Sequence, residues 1–121
     1  MVQRTDEEIA RIKATALEFL SGVFKAMELP VEIQMEYNAE NDSLEVDFAG
    51  EDMGILIGKR GQTLDSLQYL TSLVVNKEQK DYVRVKLDTE NYRKRRKETL
   101  ENLARNIAYK VKKNQKDRFL C

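Results

Sequence analysis

The 121-residue chain has no histidine and a single cysteine, Cys121, its last residue. Those two scarcities exclude Ser-His-Asp and Cys-His catalysis and nearly any zinc site, and they leave no intrachain disulfide. No apolar run approaches the ~18 residues that a membrane span needs, and the first residues lack the apolar core of a signal peptide. Cytoplasm is therefore the expected compartment, where the sequon Asn41-Asp42-Ser43 is a chance match. Repeats, low-complexity tracts and linkers are also missing, so no boundary is expected inside the chain before about residue 113.

With 41% hydrophobic and 35% charged residues, the chain is globular and highly soluble, long enough for one modest core. Its formal net charge is zero, but the charges are segregated. Residues 31–56 hold eight acids and no base, whereas residues 57–121 hold seventeen bases and eight acids. Segregation of this kind suits a protein that turns one face to a polyanion.

Thr5-Asp6-Glu7-Glu8 reads as a capping box that starts a helix. Ile9, Ile12, Ala16, Phe19, Leu20, Val23 and Met27 continue it as one apolar stripe, and Leu29-Pro30 should end it, because a residue before proline leaves the α region. Val31, Ile33, Met35 and Tyr37 then alternate with polar residues, and after the turn Asn38–Ser43, Leu44, Val46 and Phe48 do the same. Period-two alternation predicts a hairpin with one covered face and one wet face. The wet face is acidic and would repel nucleic acid, so any polyanion belongs on the helical side. These outward acids frame no cleft, and no enzymatic activity, cofactor or metal is expected.

Asp52 can cap a short helix over Met53–Ile57. Gly58-Lys59-Arg60-Gly61 follows, and then Leu64, Leu67, Leu70, Thr71 and Val74 form a second stripe that closes at Asn76, a tolerable left-handed C-terminal residue. Tyr82–Leu87 reads as a third strand, with Val83, Val85 and Leu87 inward and Arg84 and Lys86 outward against the hairpin's acids. Asp88 or Thr89 should cap the last helix, whose stripe is Tyr92, Leu100, Leu103, Ile107 and Val111.

Two glycines allow tight backbone turns and a close approach to another molecule. Two cations between them, ahead of a helix whose first N–H groups lack internal partners, make a place for phosphate. A P-loop is excluded by spacing: Gly54 to Gly58 encloses three residues rather than four, and Arg60 stands where Ser or Thr would bind Mg²⁺. The Arg93-Lys94-Arg95-Arg96-Lys97 run spreads all round its helix. Glu90–Lys94, Lys94–Glu98, Lys97–Glu101 and Glu101–Arg105 sit at i,i+4 and can pair. Arg93, Arg95 and Arg96 have no such acid and are candidates for auxiliary phosphate contacts.

A bare GxxG is a weak signal, but here it lies in the order helix, strand, strand, short helix, GxxG, helix, strand. That order resembles a type II KH domain, an α+β fold with a three-stranded mixed sheet covered by helices on one face, here with long N- and C-terminal helices. Its GxxG loop clamps a four-nucleotide backbone. The run Gly54 to Asn76 is similar to the bacterial Jag family, in which a Jag domain, a KH domain and a small Arg-x-x-x-His nucleic-acid-binding domain follow one another. The resemblance implies a KH domain over residues 1–88 with its N-terminal helix. Residues 89–121 would then open the Arg-x-x-x-His domain, with Tyr92-Arg93-Lys94-Arg95-Arg96 in its first helix. The Jag domain and the histidine of that motif are both missing, so a fragment of a longer protein is expected.

By this resemblance the chain is a non-enzymatic module that binds single-stranded RNA through Ile57, Gly58, Lys59, Arg60, Gly61, Gln62 and Thr63. The family's role would be regulation of cell elongation, division or sporulation, with a second KH protein or a second copy as a further partner. Two other functions fit the same residues: a KH-fold interaction or dimerisation scaffold, and single-stranded DNA binding.

Overall fold

The computed structural model describes residues 3–119, with side chains described to residue 114; Met1, Val2, Leu120 and the lone Cys121 lie outside the described residues. The chain forms two units that meet between Glu90 and Asn91.

The first unit begins with helix α1, Asp6–Ala26, whose start is capped by Thr5 Oγ1 accepting from the Glu8 N–H at 3.1 Å. Its end does not depend on Pro30. Glu28 takes a left-handed φ of 55°, the Glu28 N–H donates to Lys25 O and the Leu29 N–H to Phe24 O. This is a Schellman stop with glutamate in the position glycine usually fills. It buries Leu29 and Phe24 and leaves Met27 exposed, so Phe24 takes the place in the core stripe that the spacing gave to Met27.

Strands β1 (Glu32–Asn38) and β2 (Ser43–Ala49) form the expected hairpin, antiparallel with Met35 opposite Val46. Strand β3 (Arg84–Thr89) runs parallel to β2, giving a mixed sheet in the order β1-β2-β3. Leu44, Val46, Phe48, Val85 and Leu87 are buried on one face. Phe24 of α1 meets Phe48 edge-on there, with ring centroids 5.1 Å apart at 87°, a favourable aromatic geometry. On the wet face Lys86 sits opposite Glu45, as expected, but Arg84 is opposite Ser43 and Asp88 faces Asp47. Burial, and then the Asp88 charge, push the Asp47 carboxyl upward.

Between β2 and β3 the chain makes helix α2 (Met53–Ile57), a single 3-10 turn (Lys59–Gly61) and helix α3 (Gln62–Asn76). Asp52 does not cap α2 with its side chain; its carbonyl instead accepts from the Ile55 N–H at 3.2 Å. In α3 the buried residues are Leu64, Leu67, Thr71 and Val75, while Leu70 is about half exposed. At ~100° per residue Leu70 lies roughly 110° from the centre of that buried stripe, so Val75 takes its place. The unit is an α+β fold with helices on one face of a three-stranded mixed sheet.

The N-terminal arm is fixed to this unit by Arg4, whose side chain is only 2% exposed. It donates to both carboxylate oxygens of Asp42, to Gln79 Oε1 and to the Asp81 carbonyl, joining the hairpin turn to the α3–β3 loop. Tyr37 OH donates to Asp42 as well.

The second unit is helix α4, Tyr92–Phe119. The Thr89 hydroxyl donates to Phe48 O at 2.7 Å, Glu90 and Asn91 both take φ of 53°, and the Asn91 carbonyl accepts from the Arg95 N–H. Leu100, Leu103, Ile107 and Val111 are each about half exposed. No helix among the described residues is long and apolar enough to cross a membrane.

Candidate nucleic-acid interface

The residues Ile57 to Thr63 form one continuous turn between α2 and α3. The α2 backbone closes with the Gly58 N–H donating to Gly54 O at 3.0 Å. Gly58 then adopts φ 67°, ψ −167°, a region open essentially to glycine alone. A Cβ there would overlap the Thr63 hydroxyl and stand 2.8 Å from Thr63 Cβ and 3.1 Å from its backbone nitrogen. The glycine is therefore required by the approach of the next helix as well as by its own dihedrals.

Arg60 (φ 55°, ψ 26°) and Gly61 (φ 80°, ψ 10°) follow in succession in the left-handed region, and Gln62 returns to the right-handed helix. Such reversals of hand line up successive N–H groups into an anion-binding concavity. The Gln62 N–H is taken by Lys59 O, but Gly61 offers no side chain to cap the amides after it. The start of α3 thus presents N–H groups and the positive end of its dipole outward. Lys59, Arg60, Gln62 and Thr63 are exposed, Ile57 is half-buried and Gly61 is buried. Leu56 and Leu64, both fully buried, hold the turn against the core, where Ile57 and Leu64 were the expected pair.

The other predicted residues, Arg93, Arg95 and Arg96, lie in the second unit, in the first turns of α4; Arg95 is exposed and the other two are half-buried. Further along, Arg105 donates to the Glu101 carbonyl and to Asn102 Oδ1, rather than to the Glu101 carboxylate that i,i+4 spacing suggests. Among the described residues no cluster of His, Cys, Asp or Glu could hold a metal ion.

Sequence reasoning missed a polar ladder on α3. Gln68, Ser72 and Asn76, each four residues apart, face the outer edge of β3. Gln68 Oε1 accepts from the Leu87 N–H at 2.9 Å. Asn76 accepts from the Val83 N–H at 2.8 Å and donates to Val83 O at 3.0 Å and to Ser72 O at 2.9 Å. Asn76 is therefore no left-handed cap: it belongs to the helix, and Lys77 after it is also right-handed. The signal was available as i,i+4 polar spacing inside an apolar helix. Covering an edge strand in this way also blunts unwanted strand pairing.

The matches to known proteins agree with this architecture. A family model described as KhpA/KhpB, KH domain, covers residues 13–87, more than half of the chain and all of α2, the glycine turn and α3. An RNA-binding protein KhpB of Clostridium symbiosum is 67% identical over 101 residues, 84% of this chain and 46% of that protein. One from Bacillus subtilis is 51% identical over 69 residues, 57% of this chain and 33% of that protein. One from Lactiplantibacillus plantarum is 35% identical over 122 residues, 97% of this chain and 38% of that protein. The chain spans less than half the length of each of these relatives. Both the matched region and the fold place the chain in the KhpA/KhpB family of KH domains.

Proposed function

We propose that this chain is a cytoplasmic, non-enzymatic module that binds single-stranded RNA by holding phosphates against the backbone of Gly58–Gly61. The observation that carries this reading is the turn itself: a glycine that tolerates no Cβ, two successive left-handed residues and the uncapped start of α3, with Lys59 and Arg60 exposed beside them. Ile57, Gln62 and Thr63 border the clamp. Three relatives named RNA-binding proteins support RNA as the ligand. Arg93, Arg95 and Arg96 add phosphate contacts from a helix that opens the Arg-x-x-x-His domain, residues 89–121, after a KH domain over residues 1–88. A role in cell elongation, division or sporulation is the cellular function that the family resemblance supports.

Binding of a labelled single-stranded RNA pool to the native chain and to its Lys59→Asp/Arg60→Asp variant tests the clamp, with circular dichroism to establish that both fold. The variant should lose binding while staying folded; equal binding by both would overturn the assignment. Competition with matched DNA oligonucleotides tests the choice of RNA, because only the 2′-OH differs at a given site. A second reading, a scaffold for another copy or another KH protein, is favoured by the half-exposed stripe Leu100, Leu103, Ile107 and Val111. It predicts dimers in sedimentation experiments without RNA.

A further inference from the structure

The glycine turn supplies charge and backbone amides but no flat apolar surface for a base. Such a surface exists elsewhere in the same unit. Tyr69, Ser72, Leu73, Asn76, Lys77 and Tyr82 line an open depression of about 410 Å³ between the C-terminal half of α3 and the segment leading into β3. Its size falls within the ~300–1,000 Å³ typical of small-ligand sites.

Tyr69 and Tyr82 are 65% and 67% exposed, and Leu73 is 52% exposed. Among the described residues the ring pair in contact is Phe24–Phe48, so the two tyrosines share one depression without stacking on each other. Tyr82 is held there: its hydroxyl and Ser72 Oγ are 2.9 Å apart, and Ser72 Oγ also receives Asn76 Nδ2 at 3.3 Å. A tyrosine fixed through its hydroxyl keeps its ring face at a set angle, so less ordering entropy is lost when a flat ligand stacks on it. Lys77 places a cation at the rim, where a phosphate attached to such a ligand would lie.

We infer that this depression is a stacking slot for an unpaired nucleobase of the RNA held by the glycine turn, with Tyr69 and Tyr82 as its aromatic walls and Lys77 as its phosphate contact. The inference rests on the clamp reading. Tyr69 lies eight positions after Gly61, about 12 Å of helix rise, so a strand held at the turn reaches the slot by running along α3. Stacking on an aromatic side chain is tolerant of sequence, because every base has a π-face. The slot would therefore lengthen the bound segment without adding strict base choice.

The experiment is titration of the full chain with uniform single-stranded RNAs of four and eight nucleotides, using the native protein, Tyr69→Ala, Tyr69→Phe, Tyr82→Phe and Lys59→Asp/Arg60→Asp. Tyr69→Ala should weaken the eight-nucleotide RNA at least about five-fold and leave the four-nucleotide RNA unchanged. Tyr69→Phe should bind like the native chain, since the ring face is kept. Tyr82→Phe should weaken only the longer RNA, through loss of the hydroxyl contact that holds the ring. If Tyr69→Ala binds both RNAs like the native chain while the Lys59/Arg60 variant binds neither, the slot inference is overturned and the clamp survives. Native binding of neither RNA would overturn both. A dimer in sedimentation that Tyr69→Ala dissolves would also overturn the slot, because a second copy would then cover the tyrosines.

Discussion

Gly58→Ala should be among the most destabilising single-methyl additions in this chain, although Gly58 sits on a surface turn. Holding a non-glycine residue at φ 67°, ψ −167° costs about 1–3 kcal/mol. The added methyl must also displace Thr63, whose Cβ and backbone nitrogen would lie 2.8 and 3.1 Å away, at a further ~1–3 kcal/mol for overpacking. Rotating the Thr63 side chain relieves only the overlap with its hydroxyl, since Cβ and N do not move with χ1. Gly58→Ala/Thr63→Ala should therefore recover less than half of the loss. The control is Gly54→Ala, four residues earlier, inside α2 and with nothing within 4 Å of the added carbon. It should be neutral or stabilising by up to about 1 kcal/mol. Urea unfolding followed by circular dichroism reads the difference: with a slope of ~1–3 kcal/mol per molar urea, the two midpoints should stand about 1–3 M apart. Coinciding midpoints would refute the reasoning, and with it the claim that the turn is closed to side chains.

Three further outcomes follow from other contacts. Asn76→Ala leaves the buried Val83 without partners for its N–H and carbonyl and should cost about 2–3 kcal/mol; Asn76→Asp should recover only part, because a carboxylate cannot donate to Val83 O, and thermal melts decide. The hydrogen bonds from Arg4 hold the Asp42 carboxyl below its ordinary 3.8, so its contribution is present above 3.8 and is lost as pH falls through the lower folded value. Asp47 behaves oppositely: its raised value means that its charged form opposes folding at neutral pH and that this penalty fades as pH falls through the folded value. Asp42→Asn should flatten the acid limb of a stability–pH profile, whereas Asp47→Asn should stabilise at pH 7 by about 0.2–1 kcal/mol, less at high salt.

The element order and the sheet were legible because alternation and helical spacing are local. Leu44, Val46 and Phe48 against Glu45 and Asp47 could be assigned to faces from the sequence alone. Helix ends and stripe edges were less legible. Phe24 entered the core, rather than Met27, because a Schellman stop at Glu28 ended α1, and left-handed glutamate carries no sequence signal comparable to glycine's. Val75 replaced Leu70 because a stripe read from spacing does not say which of two flanking positions faces the sheet. Asp52 and Thr89 both have cap chemistry, yet the Asp52 side chain makes no cap bond and the Thr89 hydroxyl donates to Phe48 O across β2 and β3. Such long-range partners cannot be read from neighbours in the chain. The glycine turn was found in the sequence, but its dependence on Thr63 was not, since that contact exists only once α3 has folded back on Gly58.

The most direct test of the phosphate clamp is an amide NMR titration of the chain with a short single-stranded RNA at two salt concentrations. Clamping by the turn requires the largest shifts at the amides of Gly58–Thr63. It also requires affinity to fall with salt, by about 0.7 in log K per neutralised phosphate for each decade. Shifts confined to Arg93–Lys97, or an affinity indifferent to salt, would contradict it.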